Sequence, residues 1–470
     1  MGKYTDFFLR IQEAVDAFNL IPSTEPVKVV SHYDSDGICA CAILVRALQR
    51  KGMAYSVSVY QSLSKDILKE LSREETKHFF FADLGSGVMS GIEEHLEGRD
   101  VFVLDHHPVD REPRQDGIHH VNPHTFGIDG SKEIAGAGVA FLFAVGIDGI
   151  NTDLAHLAII GALGDIQEDE EGFLRLNREI LDTAIAQGKL EVKSELRVFG
   201  RETKPLVKIL EHMQKPLIPG VSGIDGAGQT FLKEVKVPAT KSGKWRLMTD
   251  LTKDEEDRIA KGIIKRRLDE NLLGDIFGSS YILSGEKKGT PLRDAREFST
   301  LLNACGRLNS SSIGIGACLG SDRMKKRAME QLQAYRQQMG AIMRWFHENR
   351  KSFIEGDGYA IINAEENIPP ELAGTLCSII IHSNVYPQGT YVMALARNTV
   401  KDETKVSLRA AGKVAGGLNI MLQTAVDAVG GESGGHLSAA GAIIPTAKEE
   451  AFVERAIRVL EKQRLMEDVV

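Results

Sequence analysis

Three short apolar runs, Val27-Lys28-Val29-Val30, His78-Phe79-Phe80-Phe81 and Val101-Phe102-Val103-Leu104, constrain the fold of this chain more than any other feature. They are β-branched or aromatic, and stretches of helical periodicity separate them, which is the signature of a parallel sheet with helical crossovers. Each run also ends in a polar cluster: Ser31-His32-Tyr33-Asp34-Ser35-Asp36-Gly37, then Ala82-Asp83-Leu84-Gly85-Ser86-Gly87, then Asp105-His106-His107-Pro108. Open α/β sheets bind ligands beyond the carboxyl ends of their strands, so three strands delivering Asp and His to that edge describe one site.

Composition sets the limits. With 470 residues, 43% hydrophobic and 26% charged, the chain is ordinary globular matter rather than a collagenous or disordered one, and its length suggests about three units. Its 57 basic and 65 acidic residues give a net charge of −8, which excludes coating a polyanion by overall charge. Any polyanion is bound locally, and acidic residues gathered around divalent ions agree with that total. No apolar stretch reaches the length of a membrane span and Met1 to Asn19 is amphipathic, so a cytoplasmic location is expected. Five scattered cysteines without CxxC spacing indicate reduced thiols, not a disulfide frame or a zinc site.

The α/β rhythm of residues 1–188 gives way over 189–290 to charged, helix-rich sequence broken by Lys215-Pro216-Leu217-Ile218-Pro219-Gly220, read as an inserted, mainly helical module. Residues 291–355 carry the segment Asn303 to Arg307 and a connector helix over Ser321 to Lys351. Alternation resumes over 356–470, a second and smaller α/β domain with a glycine-rich turn at Gly430 to His436 and a closing helix from about Ala447 to Arg464. The basic runs Lys265-Arg266-Arg267 and Lys325-Lys326-Arg327 read as solvated helical faces, and Trp245 and Trp345 as packing residues.

The polar clusters carry the chemistry. On an extended strand end Asp34 and Asp36, two apart, point the same way and reach one ion or two neighbours. Asp83 follows an aromatic strand and precedes glycines that let the backbone pass close to a metal or phosphate. Thirteen histidines predict about 0.36 His-His pairs by chance, yet the chain has two. His119-His120 lacks a preceding strand and Asp and reads as a surface pair. In Asp105-His106-His107 one imidazole can ligate a metal, the Asp can fix a tautomer, and the other imidazole can address a phosphate oxygen. Asp165, after Gly161-Ala162-Leu163-Gly164, adds a fourth carboxylate. This hard O/N donor set suits Mn²⁺ or Mg²⁺ and two-metal phosphoester hydrolysis.

The order His-x-Asp-x-Asp-Gly, Asp-x-Gly-x-Gly, Asp-His-His and Gly-Asp, with Gly434-Gly435-His436 near the end, resembles the DHH phosphoesterase superfamily. Within it the chain is most similar to RecJ-like nucleases, and its size and inserted module most resemble the archaeal RecJ-like, GINS-associated nucleases. The resemblance implies a bilobal enzyme, with an N-terminal parallel-sheet DHH domain holding the metals and a smaller C-terminal α/β DHHA1 domain. It implies Asp34, Asp36, Asp83, His106 and Asp165 as ligands of two ions, with Asp83 as the bridge and His32 as a further ligand. Asp105 then orients a histidine, and His107 sits beside the scissile phosphate. Asn303 and Arg307 match a backbone-binding segment of RecJ, and Ser407 and Arg409 its Ser-x-Arg element near the terminal phosphate, with Gly434, Gly435 and His436 completing the substrate side.

The expectation is therefore an Mn²⁺- or Mg²⁺-dependent, single-strand-specific exonuclease, 5′→3′ on DNA, with RNA as the other candidate substrate and the replication GINS complex as a partner. The alternatives are a phosphoesterase of oligonucleotides, cyclic dinucleotides or pyrophosphate, and a replication scaffold with little catalysis.

Overall fold

In a computed structural model of the chain, residues 2–169, 172–213, 215–267, 276–383, 385–412, 417–435 and 439–467 are described. They form two compact units, Met1–Leu332 and Gln333–Val470.

The first unit is built on β1 (Val27–His32), β2 (Tyr55–Tyr60), β3 (His78–Ala82), β4 (Asp100–Leu104) and β5 (Ile118–Val121), all parallel in the order β2-β1-β3-β4-β5. Its helices are α1 (Lys3–Asn19), α2 (Ser35–Arg50), α3 (Lys65–Leu71), α4 (Met89–His95), α5 (Gly136–Ile147), α6 (Ala155–Gly164) and α7 (Arg175–Ala186). The run Phe79-Phe80-Phe81 is apolar throughout because the sheet is covered on both faces. Phe79 and Phe81 pack with Val101 and Val103 against Leu68 and Met89 from α3 and α4. Phe80 points the other way, stacking on Phe102 at 4.6 Å and meeting Phe18 of α1 and Phe143 of α5 edge-on. Each such buried ring contributes about 2 kcal/mol. Helix α2 is sunk in this core, with 13 of its 16 residues buried.

Two strands of this five-stranded sheet escape the sequence reading. β2, Tyr-Ser-Val-Ser-Val-Tyr, is a half-exposed edge strand without a continuous apolar run. β5 contains His119 and His120, so the pair is not a surface one: His120 is 3% exposed.

The insertion runs through β6 (Leu190–Leu196), α8 (Leu206–Glu211), α9 (Ala227–Glu234), the hairpin β7 (Thr240–Lys241) and β8 (Lys244–Trp245), α10 (Lys253–Arg266) and β9 (Phe277–Leu283). It is mainly helical around its own core of Leu206, Leu210, Phe231 and Ile259, but an antiparallel β6–β9 pair frames it. The basic run at its end is not a solvated face: Arg266 pairs with Glu234 over the Phe231 ring, and Arg267 is buried. Trp245 does not pack, being 53% exposed. Helices α11 (Ala295–Arg307) and α12 (Ser311–Cys318) return to α2, and α13 (Asp322–Asn349) is the single long helix the sequence indicated.

The second unit has β10 (Ile354–Gly356), β11 (Tyr359–Asn363), α14 (Ala373–His382), β12 (Tyr391–Asn398), β13 (Glu403–Ala410), α15 (Leu418–Val426), β14 (Glu432–Gly435), β15 (Ala439–Pro445) and α16 (Glu449–Glu467), with sheet order β10-β11-β12-β13-β15-β14. Its strands alternate cleanly. Ile361, Met393 and Leu408 face α15 and α16, while Ile362, Val392 and Ala394 face α14 and the end of α13, where Trp345 packs. The glycine-rich run is a turn only as far as Gly431, because Glu432–Gly435 is an edge strand paired with β15. His436 lies outside the described residues.

Among the described residues no helix is long and apolar enough to cross a membrane. All five cysteines are free thiols, four of them buried.

Candidate metal centre

The carboxyl ends of β1, β3 and β4 meet the N-termini of α2 and α5 and the C-terminus of α6. β1 ends at His32 and the chain turns at once into α2, with Asp34 as its N-cap, accepting from the Gly37 N–H at 3.1 Å. The two aspartates of this turn therefore do not share an extended strand end. Asp36 sits in the first helical turn, and the two carboxylates serve different neighbours.

On one side His32 Nδ1 is 3.1 Å from Asp34 Oδ2 and 3.3 Å from Asp83 Oδ2. On the other, His106 Nε2 is 3.1 Å from Asp165 Oδ2, 3.2 Å from Asp83 Oδ1 and 3.7 Å from Asp36 Oδ2. Asp83, held at φ +60 after β3, thus divides its two oxygens between two donor groups. The ligand atoms of His32, Asp34 and Asp83 lie within 4.8 Å of one another, as do those of Asp36, His106 and Asp165. A third such group joins Asp83 and His106 to His107.

These donors fit a hard divalent cation. His106 Nδ1 is 2.6 Å from the Gly130 carbonyl, so it carries the proton and donates, which turns the Nε2 lone pair toward the acids. Both His106 Nε2 and Asp83 Oδ1 are buried, and among the described residues neither has a hydrogen-bond partner. Two buried acceptors that face each other repel unless a proton or a cation lies between them. Like charges about 5 Å apart cost about 3 kcal/mol each at an effective dielectric constant near 20.

The proton affinities follow. Burial, with the charges of Asp83 and Asp165, pushes Asp36 well above the usual carboxylate range, and burial raises Asp165 as well. Burial alone would lower His32 and His106, but the carboxylates of Asp34, Asp83 and Asp165 overcome it and raise both well above the ordinary imidazole value. Asp34 is half-buried, and although its desolvation opposes this, His32 holds it well below the usual range. Asp165, at the C-terminus of α6, also opposes the helix dipole, a further reason for a counter-cation.

The backbone is shaped around these groups. Asp36 is fully buried, and its oxygens accept from the amides of Gly136 at 2.6 Å and Ala137 at 3.0 Å, at the N-terminus of α5. A Cβ on Gly161 would lie 2.2 Å from Asp36 Oδ1, and one on Gly136 would lie 2.5 Å from Asp83 Oδ1. Ile166, next to Asp165, is 85% exposed at φ +56, a strained conformation for a β-branched residue.

Asp105, fully buried, accepts from His107 Nδ1 at 2.8 Å and from the Ser86 amide at 2.9 Å. His107 is 31% exposed, and although burial opposes it, Asp105 raises its pKa. Behind them the Ser86 hydroxyl meets His120 Nε2 at 2.9 Å and Asn122 Nδ2 at 2.8 Å, and Asn122 also donates to the His107 carbonyl at 2.9 Å. Gln167 donates to the Gly130 carbonyl that orients His106. The sequence reading assigned no role to Ser86, His120, Asn122, Gly136 or Gln167. Recognising β5 would have placed Asn122 at the same sheet edge as Asp105.

Asn303 on α11 belongs to this site, its Oδ1 accepting from the Ser35 amide at 3.0 Å. Arg307, half-buried, follows one turn later, and between them Gly306 lies inside the helix, where a Cβ would be 1.8 Å from the Tyr33 carbonyl. Gly306 thus seats α11 on the β1–α2 turn. Ser407, Arg409, Gly434 and Gly435 lie in the second unit. Ser407 is buried on β13, and Arg409 Nη1 donates to the carbonyls of Leu408 and Ala440. Both side chains flank Gly374 in the first turn of α14, while Gly434 and Gly435 pair with Gly441 and Ala440.

Three family models match: the DHH family N-terminal domain over residues 26–162, the DHH-CID domain over 198–275 and the DHHA1 domain over 357–462. An uncharacterized protein of Methanocaldococcus jannaschii is 28% identical over 449 residues, 93% of this chain and 94% of that protein. The fold is similar to that of RecJ from Thermus thermophilus in complex with Mn²⁺, with a TM-score of 0.60 and 17% identity over 96% of this chain. The match spans only 55% of that RecJ chain. CDC45 from Entamoeba histolytica is also similar, with a TM-score of 0.63 and 11% identity over 98% of this chain and 99% of that one. Three domain models in their order and a shared fold over nearly the whole length make this chain a member of the DHH superfamily with a RecJ-like architecture.

Proposed function

We propose that this protein is a metal-dependent, single-strand-specific exonuclease that hydrolyses phosphodiester bonds, 5′→3′ on DNA. The observation that carries the reading is Asp83, whose two oxygens face two separate Asp/His groups, an arrangement suited to a pair of Mn²⁺ or Mg²⁺ ions sharing one carboxylate. Asp34 and His32 would hold one ion, and Asp36, His106 and Asp165 the other. Such ions, when bound, supply charge to the phosphoryl oxygens and make a bound water acidic enough to attack.

The chain's own residues do the rest. Asp105 fixes the His107 ring through Nδ1 and raises its proton affinity, so its other nitrogen is set to offer a hydrogen bond to a phosphate oxygen. Ser86 and Asn122 hold Asp105 and the His107 backbone in register. Arg307 engages the strand, and Ser407 and Arg409 its terminal phosphate. Association with the GINS complex through the inserted module accompanies this activity, a reading supported by the resemblance alone.

The test is digestion of 5′- and 3′-labelled DNA and RNA strands, and of dinucleotides, with Mn²⁺, Mg²⁺ or chelator. Mononucleotide release from the 5′ end of long DNA strands, abolished by chelator and by Asp83→Asn, is expected. Equal product from the variant refutes the site assignment, and hydrolysis confined to dinucleotides refutes the polymer substrate.

A further inference from the structure

Away from the metal cluster, the first unit holds a cavity of about 260 Å³ lined by four cationic side chains, Arg46, Arg50, Lys189 and Lys325. It opens at the C-terminal end of α2 and the N-terminal end of α6, the far ends of the helices that carry Asp36 and Asp165. Sixteen residues of α2 at 1.5 Å each put the two ends about 24 Å apart.

Two of the four charges are met: Arg50 pairs with Asp153 at 2.8 Å and Lys325 with Glu286 at 2.6 Å. Arg46 is steered by neutral groups, donating to the Leu319 carbonyl and to Gln49, and among the described residues no carboxylate pairs with it or with Lys189. The cavity thus carries an excess of two positive charges in a chain whose net charge is −8. The inner wall is apolar, formed by Leu157 and the buried Phe298. Between rim and wall, His156 donates through Nδ1 to the Asp153 carbonyl. Burial and the Lys189 charge push its pKa down to about 4, so this ring is neutral and adds no repulsion toward a further cation.

We propose that this cavity binds a small organic phosphate of nucleoside monophosphate size. A phosphate dianion matches the two uncompensated charges and the N-terminal end of α6, and the Arg46 fork suits phosphate oxygens. The apolar wall accepts a base or sugar, and the volume, just below the small-ligand range that begins at about 300 Å³, suits a single nucleotide unit. The site stands independently of the exonuclease reading, since it lies at the ends of α2 and α6 opposite to those that carry Asp36 and Asp165.

The experiment is calorimetric titration of the full chain in chelator with deoxyadenosine 5′-monophosphate, deoxyadenosine and inorganic phosphate. Saturable one-to-one binding of the monophosphate is expected, at least tenfold tighter than that of either fragment. Lys189→Glu should weaken it at least tenfold. Lys189 is exposed, so this variant keeps its fold, which its melting temperature checks. Arg409→Ala, in the second unit, should leave the affinity unchanged. Absence of saturable binding at millimolar ligand, equal affinity in Lys189→Glu, or loss of binding in Arg409→Ala alone overturns the site. Equal affinity for inorganic phosphate, or for deoxyadenosine, overturns the ligand class.

Discussion

Replacing Gly161 by alanine isolates the geometric basis of the proposed metal centre. In the interior of a helix this substitution ordinarily stabilises by about 0.5–1 kcal/mol, because glycine loses more backbone freedom on folding. On α6 the new methyl would lie 2.2 Å from Asp36 Oδ1 and 2.7 Å from the Ala137 Cβ. Ordinary contact needs about 1 Å more than the first distance. Asp36 cannot swing aside freely, since its oxygens accept from the Gly136 and Ala137 amides. Overpacking of this kind costs about 1–3 kcal/mol, so the expected sign is reversed: net destabilisation of about 1–2 kcal/mol. A ligand moved by about 1 Å should also weaken Mn²⁺ binding by about 10- to 100-fold and cleavage by about 100-fold. Chemical denaturation with and without Mn²⁺, and calorimetric titration of the ion, measure both effects. Gly340→Ala is the control, since its Cβ would meet only Arg344 Nη1 at 3.9 Å on α13, and it should stabilise. If Gly161→Ala stabilises equally and binds Mn²⁺ as the wild type does, the packing argument is wrong.

The groups of the proposed metal centre also imply a pH dependence. His32 and His106, raised above the ordinary imidazole value, contribute stability that is complete below about pH 6.5 and lost as pH rises through their folded values. Asp36 and Asp165 are raised too and act in the same direction, while the lowered Asp34 contributes fully everywhere above about pH 4. Chelated protein should therefore melt at a lower temperature at pH 9 than at pH 6, with Mn²⁺ narrowing the gap; identical chelated melting points at both values contradict the assignment. Ile166→Gly removes an exposed side chain from a left-handed backbone and should raise stability by about 1 kcal/mol in urea unfolding, whereas a loss would show that the strain is not stored there. Asn303→Ala removes the acceptor of the Ser35 amide and should cost about 1 kcal/mol, with a weakened metal affinity reporting a shifted Asp34–Asp36 turn; unchanged unfolding would deny α11 any part in positioning it.

Much of the first unit is legible from local pattern. A run buried on both faces must be apolar throughout, so β1, β3 and β4 stand out and their ends place Asp34, Asp83 and Asp105 at one edge. Edge position hid β2, since a strand covered on one side needs no continuous apolar run. Histidines hid β5, because the burial of His120 depends on Ser86, 34 positions earlier in the chain. The insertion's strand pair was hidden for the same reason: the partners are separated by the whole module.

The amino-acid order alone determined which chemical groups reach the sheet edge, because strand alternation and the Asp and His at strand ends are local properties. Only tertiary packing decided how they divide: Asp34 with His32, Asp36 with His106 and Asp165, and Asp83 between them. It also decided that Gly136, Gly161 and Gly306 serve as clearances and that Ser86, His120 and Asn122 hold Asp105 and His107 in place. Such roles arise from close approach between segments remote in sequence, and neither periodicity nor composition encodes a distance between them.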